Sequence, residues 1–130
     1  MTYQTSDFRG DKDYSIECTG DCVVGDEVAF DRATFSGSFR SAKFAGFERV
    51  EGKIIRDSYG RDKQQHTFTI LLNVGGEMRI KGRNLYDNGT WRKPWTDEAT
   101  RKAAQEEKHE RGDAARKARD RRREDDGYFF

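Results

Sequence analysis

This sequence is short of what large cores, covalent frameworks and membrane spans are built from. Only 33% of its 130 residues are hydrophobic, and it has one proline, two cysteines and two histidines. So small an apolar share excludes an extensive interior, and Phe and Tyr must supply much of what is buried. Two cysteines four residues apart, Cys18 and Cys22 in CTGDC, exclude a disulfide framework. A zinc site needs two further ligands, and His66 and His109 stand far away at no recognised spacing. The thiols read as structural, with a regulatory disulfide or a metal as the alternatives, and no cofactor is expected. No apolar run approaches the ~20 residues of a membrane helix, and the N-terminus lacks a signal-peptide core, so the expected location is the cytoplasm. There is no nucleophile motif, and no glycine loop of the phosphate-cradling kind. His66 has no acidic partner at an informative spacing and reads as a strand-edge histidine. An enzyme is not expected.

Charge is abundant, at 38% of residues, and it is segregated behind a net value of +1. Residues 1–31 carry eight acids against Arg9 and Lys12. Residues 32–93 carry thirteen Lys or Arg against six acids, and residues 94–130 balance at ten of each. A near-neutral total is therefore compatible with a basic binding face, though not with indiscriminate coating of nucleic acid.

The pattern divides the chain into a loose arm (1–13), a small β domain (14–93) and a charged helix with its tail (94–130). Tyr14–Cys18 and Val23–Phe30 read as extended, and Arg49–Asp57 reads as a strand in which Gly52 marks a bend or a close backbone approach. His66–Val74 alternates so that Phe68, Ile70, Leu72 and Val74 share a face. Gly75-Gly76 then suggests a two-residue hairpin turn into Glu77–Lys81, with Met78 and Ile80 inward. Arg83–Tyr86 reads as a helical turn and Thr90–Lys93 as the closing strand. After Pro94 nearly every residue from Asp97 to Arg123 is a strong helix former or a charge. Thr96 reads as the N-cap, and Asp97–Arg101, Glu98–Lys102, Glu107–Arg111 and Asp113–Lys117 stand at the spacing of helical ion pairs. With no Leu, Ile, Val or Phe in that stretch, a solvated helix is expected rather than a packed one. Of Trp91 and Trp95, one should lie in the core and the other seat the helix.

The most informative stretch is Ala33–Phe47, ATFSGSFRSAKFAGF. Phe35, Phe39, Phe44 and Phe47 alternate there with Arg40, Lys43 and small residues, and neither a helix nor a strand period fits. A mobile basic loop is expected. Its rings either close the small core or stack on bases while the cations meet phosphates. Two more polar bends carry similar chemistry. In Ser58–His66, Tyr59 is placed to stack and Arg61 and Lys63 to hold phosphates; beyond it, Lys81 and Arg83 form a second basic turn. The arginine-rich end of the tail, with Arg119 and Arg122, has the composition of a helix that lies along a phosphate track. Each of these also has a plain reading as solvated charge, and convergence on one surface is what would separate the two.

An opening strand, a long irregular loop, two strands, a tight hairpin, a single helical turn and a short last strand resemble the SH3-like small barrels of KOW and Tudor type over residues 22–93. The first strand and the long loop depart from that pattern and leave an OB-like barrel as an alternative. The resemblance implies binding to nucleic acid, ribonucleoprotein or peptide through loops at one barrel end. Brevity and a charged tail also look like small bacteriophage accessory proteins. The expectation is thus a mainly β domain, a small antiparallel barrel with a long charged C-terminal helix, acting as a non-enzymatic nucleic-acid-binding module with RNA favoured. The alternative is a protein-binding modulator of a host nucleic-acid-processing complex. It would use the acidic N-terminal segment as a phosphate mimic or the aromatic segment as an anchor.

Overall fold

Among the described residues six antiparallel strands and two helices follow one another: β1 (Ile16–Glu17), β2 (Glu27–Ser36), β3 (Lys43–Tyr59), β4 (His66–Leu72), β5 (Glu77–Lys81), α1 (Gly82–Tyr86), β6 (Thr90–Arg92) and α2 (Glu98–Gly127). The computed structural model describes residues 6–38, 40–59 and 66–127, without the side chains of 59, 115, 119 and 122–127. The chain is mainly β with a long charged C-terminal helix. Among the described residues no helix is long and apolar enough to cross a membrane.

Strand order is β1-β6-β2-β3-β4-β5, so β2 to β5 form a meander and β6 returns to lie beside β2. The period-2 pattern of β4 buries Phe68 and Ile70, which join Val28, Phe30, Val50, Ile54, Ile80 and Leu85 in one cluster. That β2 and β5, three places apart in the sheet, feed the same cluster means that the sheet curls upon itself. Gly52 sits where β3 crosses β4; a Cβ there would lie 2.6 Å from both Ile70 Cγ2 and Leu71 O, so no larger residue fits. The other face of β2 buries Ala29 against Phe8, Tyr14 and Trp91. Phe8 belongs to the stretch expected to be a loose arm, yet it packs edge-on against Trp91 at 5.2 Å, and Ser6 Oγ donates to Asp31 Oδ2 at 2.7 Å.

Two turns differ from expectation. The β4–β5 connection has four residues, Asn73 to Gly76, rather than two, which puts Val74 in solvent at 94% exposure instead of on the buried face. The helix N-cap is Asp97, not Thr96: its Oδ1 accepts from Ala99 N at 3.0 Å and its Oδ2 from Thr100 Oγ1 at 2.9 Å.

The larger difference is α2. It has no apolar stripe, yet Arg101, Lys108 and Gly112 are buried and Gln105 is half-buried, at the three- and four-residue spacing of one helical face. The helix docks through charge. Arg101 donates to both oxygens of the fully buried Asp26 (2.8 and 2.9 Å) and to Asp21 O (2.8 Å). Gln105 donates to Asp21 Oδ1, and Lys108 Nζ to Cys22 O at 2.6 Å. Trp91 is the core tryptophan; Trp95 seats the helix, its Nε1 donating to Asp26 Oδ1 at 2.7 Å. Of the helical pairs expected, Glu107–Arg111 is present at 3.5 Å, whereas Arg101 is drawn away to Asp26 and Asp113 pairs with Arg116.

A second anchor lies one turn further on. Arg111 reaches both oxygens of Asp57 (3.0 and 3.3 Å), and His66 Nε2 lies 3.3 Å from Asp57 Oδ2. The hydrogen bond from His66, followed by those of Arg111, holds the Asp57 carboxyl at about 2 against the opposing pull of burial. His66 itself stacks on Phe68, with ring centroids 4.1 Å apart.

Breaking the buried pair leaves an uncompensated carboxylate, so Arg101→Ala should cost about 3–5 kcal/mol in urea unfolding. Arg116→Ala, on an exposed pair, should stay within about 0.5 kcal/mol. The Asp57 anchor should show in pH dependence. Its folded pKa is depressed, so its contribution is complete above the unfolded value near ~3.9 and fades as pH falls toward 2. The stability gap between the native chain and Arg111→Ala should therefore be full at pH 5–7 and close between about pH 4 and 2.

Candidate nucleic-acid interface

The segment expected to be a mobile loop is for the most part strand. β2 runs to Ser36 and β3 starts at Lys43, and the two pair through Phe35↔Phe44 and Ser36↔Lys43. The register shifts between Thr34 and Phe35, opposite Gly46 and Phe44, so Ala45 is an extra residue on β3. A bulge resets the inward–outward alternation, and that is why no single period fits the stretch. Gly46 stands at φ 114° beside it.

β6 pairs only with Val28–Phe30 of β2, and β4 only with Gly52–Tyr59 of β3. Beyond Phe30 and Val50, the last cross-strand pair in the core cluster, β2 and β3 continue as a two-stranded ribbon. Its rings stand open: Phe35 is 65% and Phe44 39% exposed, while Phe47 is half-buried. They form an edge-to-face ladder, Phe35–Phe44 at 6.2 Å and Phe44–Phe47 at 5.2 Å.

β5 is the last strand of the sheet, and among the described residues no strand pairs with its outer side. It comes back beside the unpaired half of β2, and the two edges enclose a groove of about 590 Å³. Arg32, Ala33 and Phe35 form one wall and Met78, Arg79, Ile80 and Lys81 the other, with Arg83, Asn84, Asp87 and Asn88 closing the end. Side chains span the seam where no ladder does: Asn88 Nδ2 donates to Asp31 O at 3.0 Å, and Arg32 Nη1 lies 3.9 Å from Met78 Sδ. The groove holds four cations and one acid. Arg32 pairs with Glu48 at 2.8 Å across exposed strand neighbours, while Arg79, Lys81 and Arg83 have no acidic partner among the described residues.

A second groove, of about 510 Å³, lies between the N-terminal segment and the ribbon. Its Arg49 is already committed, 2.6 Å from Asp31 and with its guanidinium 3.4 Å above the Phe8 ring. Elsewhere Cys18, Cys22 and Asp26 place three potential metal ligands within 4.8 Å of one another. Both Asp26 oxygens, however, are occupied by Arg101, Trp95 and Val23 N, so a cation there would have to displace a buried guanidinium.

Of the residues singled out from the sequence, Lys81 and Arg83 line the seam groove. Phe44 is joined to it through Phe35. Arg40 and Lys43 are exposed at the tip of the ribbon. Phe39, Arg61 and Lys63 lie outside the described residues, as do the side chains of Tyr59, Arg119 and Arg122. The contacts that seat α2 go to Asp21, Cys22, Asp26 and Asp57, none of which lines the groove. Arg32 and Arg79 were not among the chosen residues, and Phe35 was weighed only together with the other rings of its stretch, where Phe39 and Phe44 were preferred. The curl of the sheet brings Arg32, Phe35 and Arg79 to the seam, and strand pattern alone carries no signal for it.

Residues 18–95 match the family described as "Domain of unknown function (DUF7699)", and the chain belongs to it. The groove lies wholly inside that stretch, and α2 begins beyond it. The chain is also similar to "Zinc finger CCCH domain-containing protein 62" of Oryza sativa subsp. japonica, with 42% identity over 126 residues. The match covers 86% of this chain and 18% of that protein, so the chain spans less than a fifth of the relative's length. No solved structure matches the chain significantly.

Because Phe35 is largely exposed and lies outside both core clusters, Phe35→Ala should change stability by no more than about 0.5 kcal/mol. Phe30→Ala, five residues earlier and fully buried, should cost about 3–5 kcal/mol in the same urea titration.

Proposed function

We propose that this chain is a non-enzymatic nucleic-acid-binding module, with RNA the favoured ligand, and that the groove between β2 and β5 is its contact surface. One observation carries this reading: three cations without acidic partners and an exposed aromatic ring meet in a single concave seam. Arg79, Lys81 and Arg83 supply positive charge for the phosphate backbone, and Phe35, continued by Phe44, supplies a face on which a base stacks. Arg40 and Lys43 extend the positive surface along the ribbon. The meander of β2 to β5, with β6 returning beside β2, supports the likeness to SH3-like barrels, whose KOW and Tudor types use one barrel end for such contacts. The cytoplasm is the compartment this reading assumes. The relative's name refers to a zinc finger of three cysteines and one histidine. With two cysteines, this sequence does not hold that set, and the proposed contact rests on the seam rather than on such a finger.

A second reading, a protein-binding modulator of a nucleic-acid-processing complex, draws on the unpaired edges of β2 and β5, which could accept an extended peptide by strand addition.

Binding of a labelled single-stranded RNA, titrated between 50 and 300 mM salt, separates the two. The first reading expects affinity to fall steeply with salt. Lys81→Glu/Arg83→Glu should weaken binding at least ~10-fold and flatten the salt slope by about 1–2. Phe35→Ala should lose roughly 5- to 100-fold with the slope unchanged, since stacking on one base contributes about 1–3 kcal/mol. Absence of binding to any RNA or DNA, with a peptide captured by the same groove, would establish the second reading instead.

A further inference from the structure

Cys18 and Cys22 have no part in the groove. Both thiols are buried at the base of the β1–β2 turn, with Cys18 Sγ and Cys22 Sγ 3.4 Å apart. The intervening Thr19, Gly20 and Asp21 form a tight turn closed by Asp21 N donating to Cys18 O at 2.8 Å. A pair of sulfurs in contact needs a shift of a little over an ångström to reach the ~2.05 Å of a disulfide.

The contacts of α2 converge on this same turn. Arg101 and Gln105 hold Asp21, Lys108 holds Cys22 O, and Arg101 holds Asp26 just beyond. The helix covers the dithiol without apolar packing of its own. Lys108 is buried, bonded to one carbonyl, and 5.5 Å from the centre of the Phe68 ring. With no apolar stripe of its own, the helix is held by a few polar anchors, and local opening of such an element costs less than global unfolding.

We infer that Cys18 and Cys22 form a redox-modifiable dithiol guarded by α2: shielded while the helix is docked, and converted to an intramolecular disulfide by low-molecular-weight disulfides of the glutathione class when it lifts. One thiol loses its proton and attacks the disulfide, forming a mixed disulfide and releasing one thiolate. The second protein thiol, deprotonated in turn, attacks that mixed disulfide and releases the other. Two protein thiols are oxidised, one small disulfide is reduced to two thiols, and the protons are balanced by those the leaving thiolates take up. In the docked state the hydrogen bond from Cys18, together with burial, pushes the Cys22 thiol well above its ordinary pKa, so the guarded form is inert. Closing the bond draws the two sulfurs together by more than an ångström within the turn that Arg101, Gln105 and Lys108 hold, so the disulfide should loosen the docked helix.

The test uses the full chain incubated with glutathione disulfide, quenched by alkylation and read by intact mass. The native chain should slowly lose both alkylation sites, ending two mass units below the unalkylated reduced chain with no lasting glutathione adduct. Lys108→Met and Gln105→Ala should each accelerate this at least ~10-fold, and Arg116→Ala, beyond the docked turns, should leave it unchanged. Ile70→Val supplies a comparable loss of global stability without touching α2 and should accelerate it far less than either helix variant. In the oxidised chain, amide exchange over residues 101–111 should rise. A stop at the mixed disulfide, equal rates in all variants, rates that follow global stability alone, or unchanged exchange after oxidation would each overturn the inference.

Discussion

Asp26 is the carboxylate on which the rest of the structure hangs. It is wholly buried, and its two oxygens accept from Val23 N, Trp95 Nε1 and both arms of Arg101. Its own backbone joins β3, since Ile54 N donates to Asp26 O at 2.9 Å. One residue thus ties the approach to β2, the middle of β3, the segment after β6 and the first turn of α2. A buried anion is tolerable only when paired and fully hydrogen-bonded, and here both conditions hold. The arrangement explains how a helix with no large apolar residue can dock. It does not bring hydrophobic area to the sheet; it brings the counter-charge that the sheet already needs.

A small core sets the other constraint. The apolar residues suffice to fill the curl of β2 to β5, and little remains to cover the ends of the strands. β2 and β3 outrun their neighbours, and the ribbon they form carries its rings into solvent rather than over an interior. β5 meets β2 across the seam through side chains, and its unmatched Arg79 and Lys81, with Arg83 of α1, line the same groove as Phe35. Cations elsewhere on the domain, such as Arg49, Arg56 and Arg92, have acidic neighbours within 3.3 Å. Among the described residues the groove is thus a place where positive charge and an aromatic face are both uncommitted, and that gives the binding proposal its location.

How much of this was legible in the sequence differs from element to element. Strands whose alternation is uninterrupted were plain: Phe68, Ile70, Met78 and Ile80 lie on the side their spacing assigns. α1 and β6 stand close to where turn chemistry puts them. The ribbon was hidden because a single extra residue, Ala45, breaks its period, and a pattern read over the whole stretch cancels itself. The docking of α2 was hidden for a different reason. Helical amphipathicity registers apolar residues, and a stripe of Arg101, Gln105, Lys108 and Gly112 is invisible to it even though it is buried. For the site, Lys81 and Arg83 could be picked out from a basic turn. Arg32 and Arg79 could not, because which strands meet across a curled sheet is not written in either strand. The likeness to phage accessory proteins, resting on brevity and charge, has no residue behind it.

The most direct measurement is residue-level mapping by NMR. A short single-stranded RNA would be added to the isotope-labelled full chain while backbone and side-chain shifts are followed. Perturbations gathered at Arg32–Phe35, Phe44 and Met78–Arg83, with the Arg49 groove and the docked turns of α2 quiet, would bear out the seam as the contact surface. Shifts concentrated at α2 or the N-terminal groove, or no shifts at saturating RNA, would contradict it.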